Sequence, residues 1–185
     1  MITWLLISIL FFPGEVQNTL INWEAGRKLT WNDFKARPTA HSDNVALTSS
    51  NINFKFGYGS SGFTYSITCQ FDKSRSWVKV KNDHILAHEQ GHFDIAEIHA
   101  RKLKKALSEY VYKESTVSKD VSKLYEGLMK NHHEMQILYD QQTDHSRKND
   151  QQAIWLKKIA SELKELSTYA NYREERMGMG IQDRG

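Results

Sequence analysis

Two stretches in the first half of the chain alternate apolar and polar residues with a period of two. In "NINFKFGY" the alternation puts Ile52, Phe54, Phe56 and Tyr58 on one side, and in "FTYSITCQF" it does the same for Phe63, Tyr65, Ile67, Cys69 and Phe71. Two is the side-chain repeat of a strand. The intervening "GSSG" supplies turn residues, so the two runs are predicted to close into a hairpin. "SWVKV" (Ser76 to Val80) is a candidate third strand, and the span from Leu29 to Val80 reads as β structure.

After Lys81 the repeat lengthens to three or four residues. Asn82 or Asp83 can cap a helix that runs to about Tyr112. At ~100° per residue, Ile85, His88, His92, Ile95, Ala96, His99, Leu103, Ala106, Leu107 and Tyr110 share one face. A second helix is predicted from Val117 to Thr143, with Val117, Val121, Leu124, Leu128, Met135 and Tyr139 facing inward. Polar "DHSRKND" interrupts it. A third helix follows from about Asp150 to Tyr172, with Leu156, Ile159, Leu163 and Leu166 at helical spacing, and the tail 173–185 has no core pattern and reads as flexible. Together these elements predict an α+β domain over 22–172. A small antiparallel sheet packs on a long antiparallel helical hairpin, and the C-terminal helix completes the core.

Composition narrows the class. A chain of 185 residues with 39% apolar and 25% charged residues is one folded domain and not a disordered segment. The net charge of +3 is small, and Lys and Arg alternate with Asp and Glu along the helices, so no nucleic-acid partner is expected. Cys69 is the only cysteine, which rules out an intramolecular disulfide; its place in an alternating run makes it a small buried thiol. Ile2 to Phe12 is an apolar run ending at Pro13-Gly14. It is too short to span a bilayer and has the length of a signal-peptide core. Residues 1–14 are therefore read as a signal peptide with an unresolved cleavage point, although no Lys or Arg precedes the run and no A-x-A-like site follows it. A buried first strand is the competing reading. Export implies a secreted or periplasmic protein with no stable membrane insertion.

The candidate chemistry lies in "LAHEQGHFDIAEIHARKL" (Leu86 to Leu103). Residues four apart on a helix lie one above the other, so His88 and His92 can aim imidazole nitrogens at one ion. Glu89 beside them completes H-E-x-x-H, in which the glutamate takes a proton from water at a Zn²⁺ centre. The alternative is a polar patch buried without metal, which requires a partner for every polar atom and is costly.

A short connection near Lys113 to Thr116 would make the first two helices antiparallel neighbours and set His92 level with about Leu138 and His88 with about Gln142. "YDQQTDHS" (Tyr139 to Ser146) then arrives beside the histidines, and His145 is the expected third ligand. Asp140, near in height but turned off the inner face, is the second choice. Glu97 points to the opposite side of its helix, though a bent helix would bring it back into contention. His99 is ~10 Å along the axis from His92, and His132 and His133 fall about two turns away. Tyr139, on the inner face, is a candidate donor to a developing oxyanion, or else a core tyrosine with a satisfied hydroxyl. His41, His84, Lys79 and Lys81 join no constellation.

The stretches "SWVKV", "LAHEQGHFDIAEIHARKL" and "YDQQTDHSRKNDQQAIW" resemble a bacterial family of predicted secreted zinc-dependent proteases, long catalogued as a domain of unknown function. "LTWNDFKARP" (Leu29 to Pro38) is similar to that family's opening segment. The resemblance covers about Leu29 to Leu166. It implies a zincin-like metallopeptidase acting on a peptide or protein substrate. The family's later motif reads Y-D-x-x-T-x-H-G and falls on Tyr139, Asp140, Thr143 and His145, with Ser146 in place of the glycine. Two rivals share these residues: another zinc hydrolase of the envelope, acting on peptidoglycan or esters, and a non-enzymatic zinc-binding envelope protein. Glu89 argues against the second, since a structural metal site has no use for a base.

Overall fold

The computed structural model describes residues 18–40, 42–59, 62–172 and 175–177; the expected signal peptide lies outside them, as does most of the tail. The elements run β1 (Leu20–Asn22), β2 (Ala46–Leu47), β3 (Ser50–Gly59), β4 (Gly62–Asp72), β5 (Trp77–Val78), α1 (Asp83–Ser108), α2 (Val117–Thr143), α3 (Asn149–Glu165) and β6 (Glu175–Met177). The architecture is α+β, as the patterning predicts. β3 and β4 form the expected hairpin, with Ile52 opposite Cys69 and Tyr58 opposite Phe63. β1 and β6 both pair with β4 on its other side, so Glu175–Met177 joins the sheet from a part of the chain that shows no core pattern. The third strand is shorter than expected. Trp77–Val78 does not extend the hairpin but pairs with Ala46–Leu47 in a separate two-stranded ribbon.

α1 starts where the sequence places it, with the Asn82 side chain accepting the Ile85 amide at 2.8 Å, and ends four residues before Tyr112. The expectation of a single inner face is corrected. α1 is sandwiched, and from His88 to Arg101 nearly every residue is buried. One side meets β4: Phe93, Ala96, Ala100, Leu103 and Leu107 pack with Phe63, Ile67 and Phe71. The opposite side meets the other helices, where Ile95 and Ile98 pack with Tyr139, Trp155 and Ile159. A helix surrounded in this way must bury polar residues, and each must find a partner. Asp94 accepts from the Trp23 indole at 2.7 Å and from Gln90 at 2.8 Å. Glu97 pairs with Arg101 at 2.7 Å and accepts the Tyr172 hydroxyl, so it faces away from the histidines and is engaged there. Cys69 is buried, as expected. Among the described residues no helix is long and apolar enough to cross a membrane.

Candidate metal centre

α1 and α2 lie side by side, and at one end of their contact three side chains converge. His88 Nε2 and His92 Nε2 are 3.2 Å apart, and each is 3.1 Å from the same oxygen, Oδ1 of Asp140. Zinc ~2.0–2.1 Å from each of three tetrahedral ligands would space them by ~3.3 Å. The observed spacing fits such an ion. The group is His88, His92 and Asp140, the second choice for the third ligand. His145, the first choice, lies beside the group, with Nδ1 3.4 Å from Asp140 Oδ1 and a half-buried ring.

Helix register explains the exchange. His92 contacts Gln136 and His88 contacts Asp140, two residues earlier on α2 than the levels expected from a tight turn. Because α1 stops at Ser108, the connection to Val117 is twice the expected length and does not fix that level. Two residues rotate a helix by ~200°, which brings Asp140 inward.

Tyr139 is wholly buried and does not face the cleft. Its ring stacks on His88 at 4.5 Å and meets His92 edge-on at 5.0 Å, while its hydroxyl donates to the His88 carbonyl at 3.3 Å. This position makes it a support for both imidazoles and leaves no hydroxyl for an oxyanion. The support depends on Gly91, where a Cβ would lie 2.5 Å from the Tyr139 hydroxyl. Gln90 accepts the Leu29 amide at 2.8 Å, tying the opening segment to the motif helix.

Gln136 was invisible to sequence reasoning, because an isolated glutamine on a helix carries no pattern. Its Oε1 accepts from His92 Nδ1 at 2.5 Å, and its Nε2 donates to the His92 carbonyl at 2.9 Å and to His132 Nε2 at 3.0 Å. With the Nδ1 proton engaged, the Nε2 lone pair of His92 is the one directed at the convergence point, the usual arrangement behind a ligating histidine. His84 was also missed. Its Nε2 contacts the Ser146 carbonyl at 2.8 Å and pins the turn carrying His145. In that turn Asp144, His145 and Ser146 all have positive φ, at 48°, 50° and 71°. Ser146 thus occupies a conformation that suits the glycine of the related motif. His99 contacts its own helix through Ile95 O at 2.9 Å and stands against His132, apart from the group.

Glu89 is buried, and its Oε2 has no hydrogen-bond partner among the described residues. Burial raises its pKa above the ordinary carboxyl value. Burial pushes His88 down to about 4. For His92 burial acts in the same direction, but the Asp140 hydrogen bond and the Glu89 and Asp140 charges outweigh it and raise the value. Asp140 is held well below the usual carboxylate range: desolvation opposes this, and hydrogen bonds from both imidazoles prevail. His88, Glu89, His92, Asp140 and His145 open onto a cleft of about 470 Å³, whose far wall is the segment from Asn44 to Asn51. Thr48 donates to the Glu89 carbonyl at 3.2 Å, fixing that wall against α1.

Residues 24–146 match the model of a family described as "Bacterial protein of unknown function (DUF922)". The chain belongs to that family. The DUF922 segment ends on Ser146, so it includes each residue of the convergent group, Glu89 and the positive-φ turn, while α3 lies beyond it. No curated protein and no solved structure matches the chain.

Proposed function

We propose that this DUF922 protein is a secreted or periplasmic zinc-dependent peptidase. The observation that carries the reading is the convergence of His88 Nε2, His92 Nε2 and Asp140 Oδ1 within 3.1–3.2 Å, beside a buried glutamate with an unpartnered oxygen. Zinc suits two imidazoles and one carboxylate, and when bound it supplies Lewis acidity, drawing density from an oxygen and bringing loss of a water proton toward neutral pH. His88, His92 and Asp140 hold it, with Gln136 and Tyr139 fixing the imidazoles. Glu89 accepts a proton from water at its free Oε2, and its raised pKa suits it to pass that proton on to a leaving amine. His145, on the open side of the group, is placed to donate a hydrogen bond to a carbonyl oxygen as charge develops there.

The cleft wall favours an extended polypeptide. Ser50 and Asn51, which line it, begin β3, and among the described residues β3 pairs only with β4. Its outer edge can add a strand. Glu89→Gln tests the reading. The amide keeps the volume but cannot take a proton, so turnover of a peptide library should fall at least a thousandfold with zinc content unchanged, an order of magnitude set by loss of a general base. Near-parental turnover would remove Glu89 from the mechanism.

A further inference from the structure

The cleft lining contains five histidines, two carboxylates (Glu89 and Asp140) and one guanidinium, that of Arg75. Arg75 is therefore the one permanent cation of the described lining. Arg27, Arg101 and Arg147 each face a carboxylate, whereas the exposed side chains of Arg75 and, outside the cleft lining, Arg37 have no ion pair or hydrogen bond among the described residues.

Its backbone is fixed. In the β4–β5 turn the Ser74 amide and hydroxyl donate to Asp72 Oδ1 at 2.9 and 2.6 Å, and the Arg75 amide donates to the Asp72 carbonyl at 3.3 Å. The turn is joined to the cleft wall, because the Ser49 amide donates to Ser76 Oγ at 2.9 Å and the Asp72 amide donates to the Ser49 carbonyl at 2.8 Å. A free guanidinium is thus carried on a braced turn at the wall where an extended peptide would lie. Its planar fork matches a carboxylate better than any neutral group.

We infer that Arg75 is a specificity-determining residue that recognises a carboxylate of the polypeptide substrate. The inference rests on the proposed peptidase reading for the nature of the ligand, but not on turnover or on metal. The carboxylate can come from an acidic side chain or from a free C-terminus, and both present the same group to the guanidinium.

The test is equilibrium binding by fluorescence anisotropy, using the full chain carrying Glu89→Gln so that no probe is cleaved. The probes are fluorescein-labelled Ala/Gly nonapeptides with a central Glu, Gln or Lys and an amidated C-terminus, plus the Gln peptide with a free C-terminus. A carboxylate-bearing probe should bind roughly tenfold more tightly than the amidated Gln peptide, the size of one charge-assisted hydrogen bond. Which probe does so identifies the source. Arg75→Gln should remove the preference, Arg75→Lys should keep part of it, and Arg75→Glu should turn it toward the Lys peptide. Zinc content, measured on the same samples, should not change. Equal binding of all probes, no binding of any, or a preference that survives Arg75→Gln would overturn the assignment. A preference that depends on Arg75 in protein that never holds zinc would instead sink the metal reading and leave Arg75 in place.

Discussion

Two helical glycines with opposite surroundings give a signed test of the packing around the histidines. Gly127 lies exposed in α2, and a Cβ there would meet nothing within 4 Å. Gly127→Ala should therefore stabilise the protein by ~0.5–1 kcal/mol, the ordinary helix-propensity gain. Gly91 lies in α1, and a Cβ there would come within 2.5 Å of the Tyr139 hydroxyl oxygen, 2.9 Å of Cζ and 3.1 Å of Cε1. Tyr139 cannot swing aside cheaply, because it is fully buried between His88 and Trp155, whose ring centres are 4.5 and 5.4 Å away. Overpacking of this kind costs ~1–3 kcal/mol, and the propensity gain offsets part of it. Gly91→Ala should be destabilising by a net ~1–2 kcal/mol. Urea unfolding of zinc-free protein measures both variants without the contribution of bound metal. Tyr139→Phe in the Gly91→Ala background removes the nearest atom and should recover part of the loss. If Gly91→Ala proves as stable as Gly127→Ala, Tyr139 does not press on the motif helix and the support assigned to it is wrong.

Ser146→Gly should stabilise the fold by about 0.5–1 kcal/mol in the same assay, because a φ of 71° strains any side chain but glycine; a loss of stability would contradict the strained turn. Gln136→Leu should weaken zinc binding by roughly 10–100-fold through loss of the partner to His92 Nδ1, read by competition with a chromophoric chelator; unchanged affinity would remove Gln136 from the site. In that competition Asp140→Asn should lose zinc affinity by at least a hundredfold and His145→Ala by less than tenfold, since only Asp140 joins the three-way convergence; the reverse order would restore His145 as third ligand.

Local signals made much of this molecule legible in its sequence. The β3–β4 hairpin follows from period-two alternation, and α2 spans Val117–Thr143 as its apolar spacing and the polar "DHSRKND" require. His88, Glu89 and His92 were legible because helical spacing alone brings i and i+4 together. What depended on a second element was harder. Asp140 and His145 exchanged places over a two-residue offset between helices, set by a connection whose length α1's early end had doubled. The many-sided burial of α1 was hidden because Gln90, Asp94, Glu97 and Arg101 look like a solvated face until their partners, Leu29, Trp23 and Tyr172 among them, arrive from distant parts of the chain. Gln136 and His84 act through side-chain hydrogen bonds that leave no periodic trace.

The claim that His88, His92 and Asp140 form a metal centre is tested most directly by titrating metal-free protein with zinc against a chromophoric chelator, alongside the His88→Ala/His92→Ala double variant. One tightly held zinc per chain is expected in the parent and none in the variant, because a single remaining carboxylate holds the ion poorly. Equal zinc binding by both proteins, or none by the parent, would contradict the account.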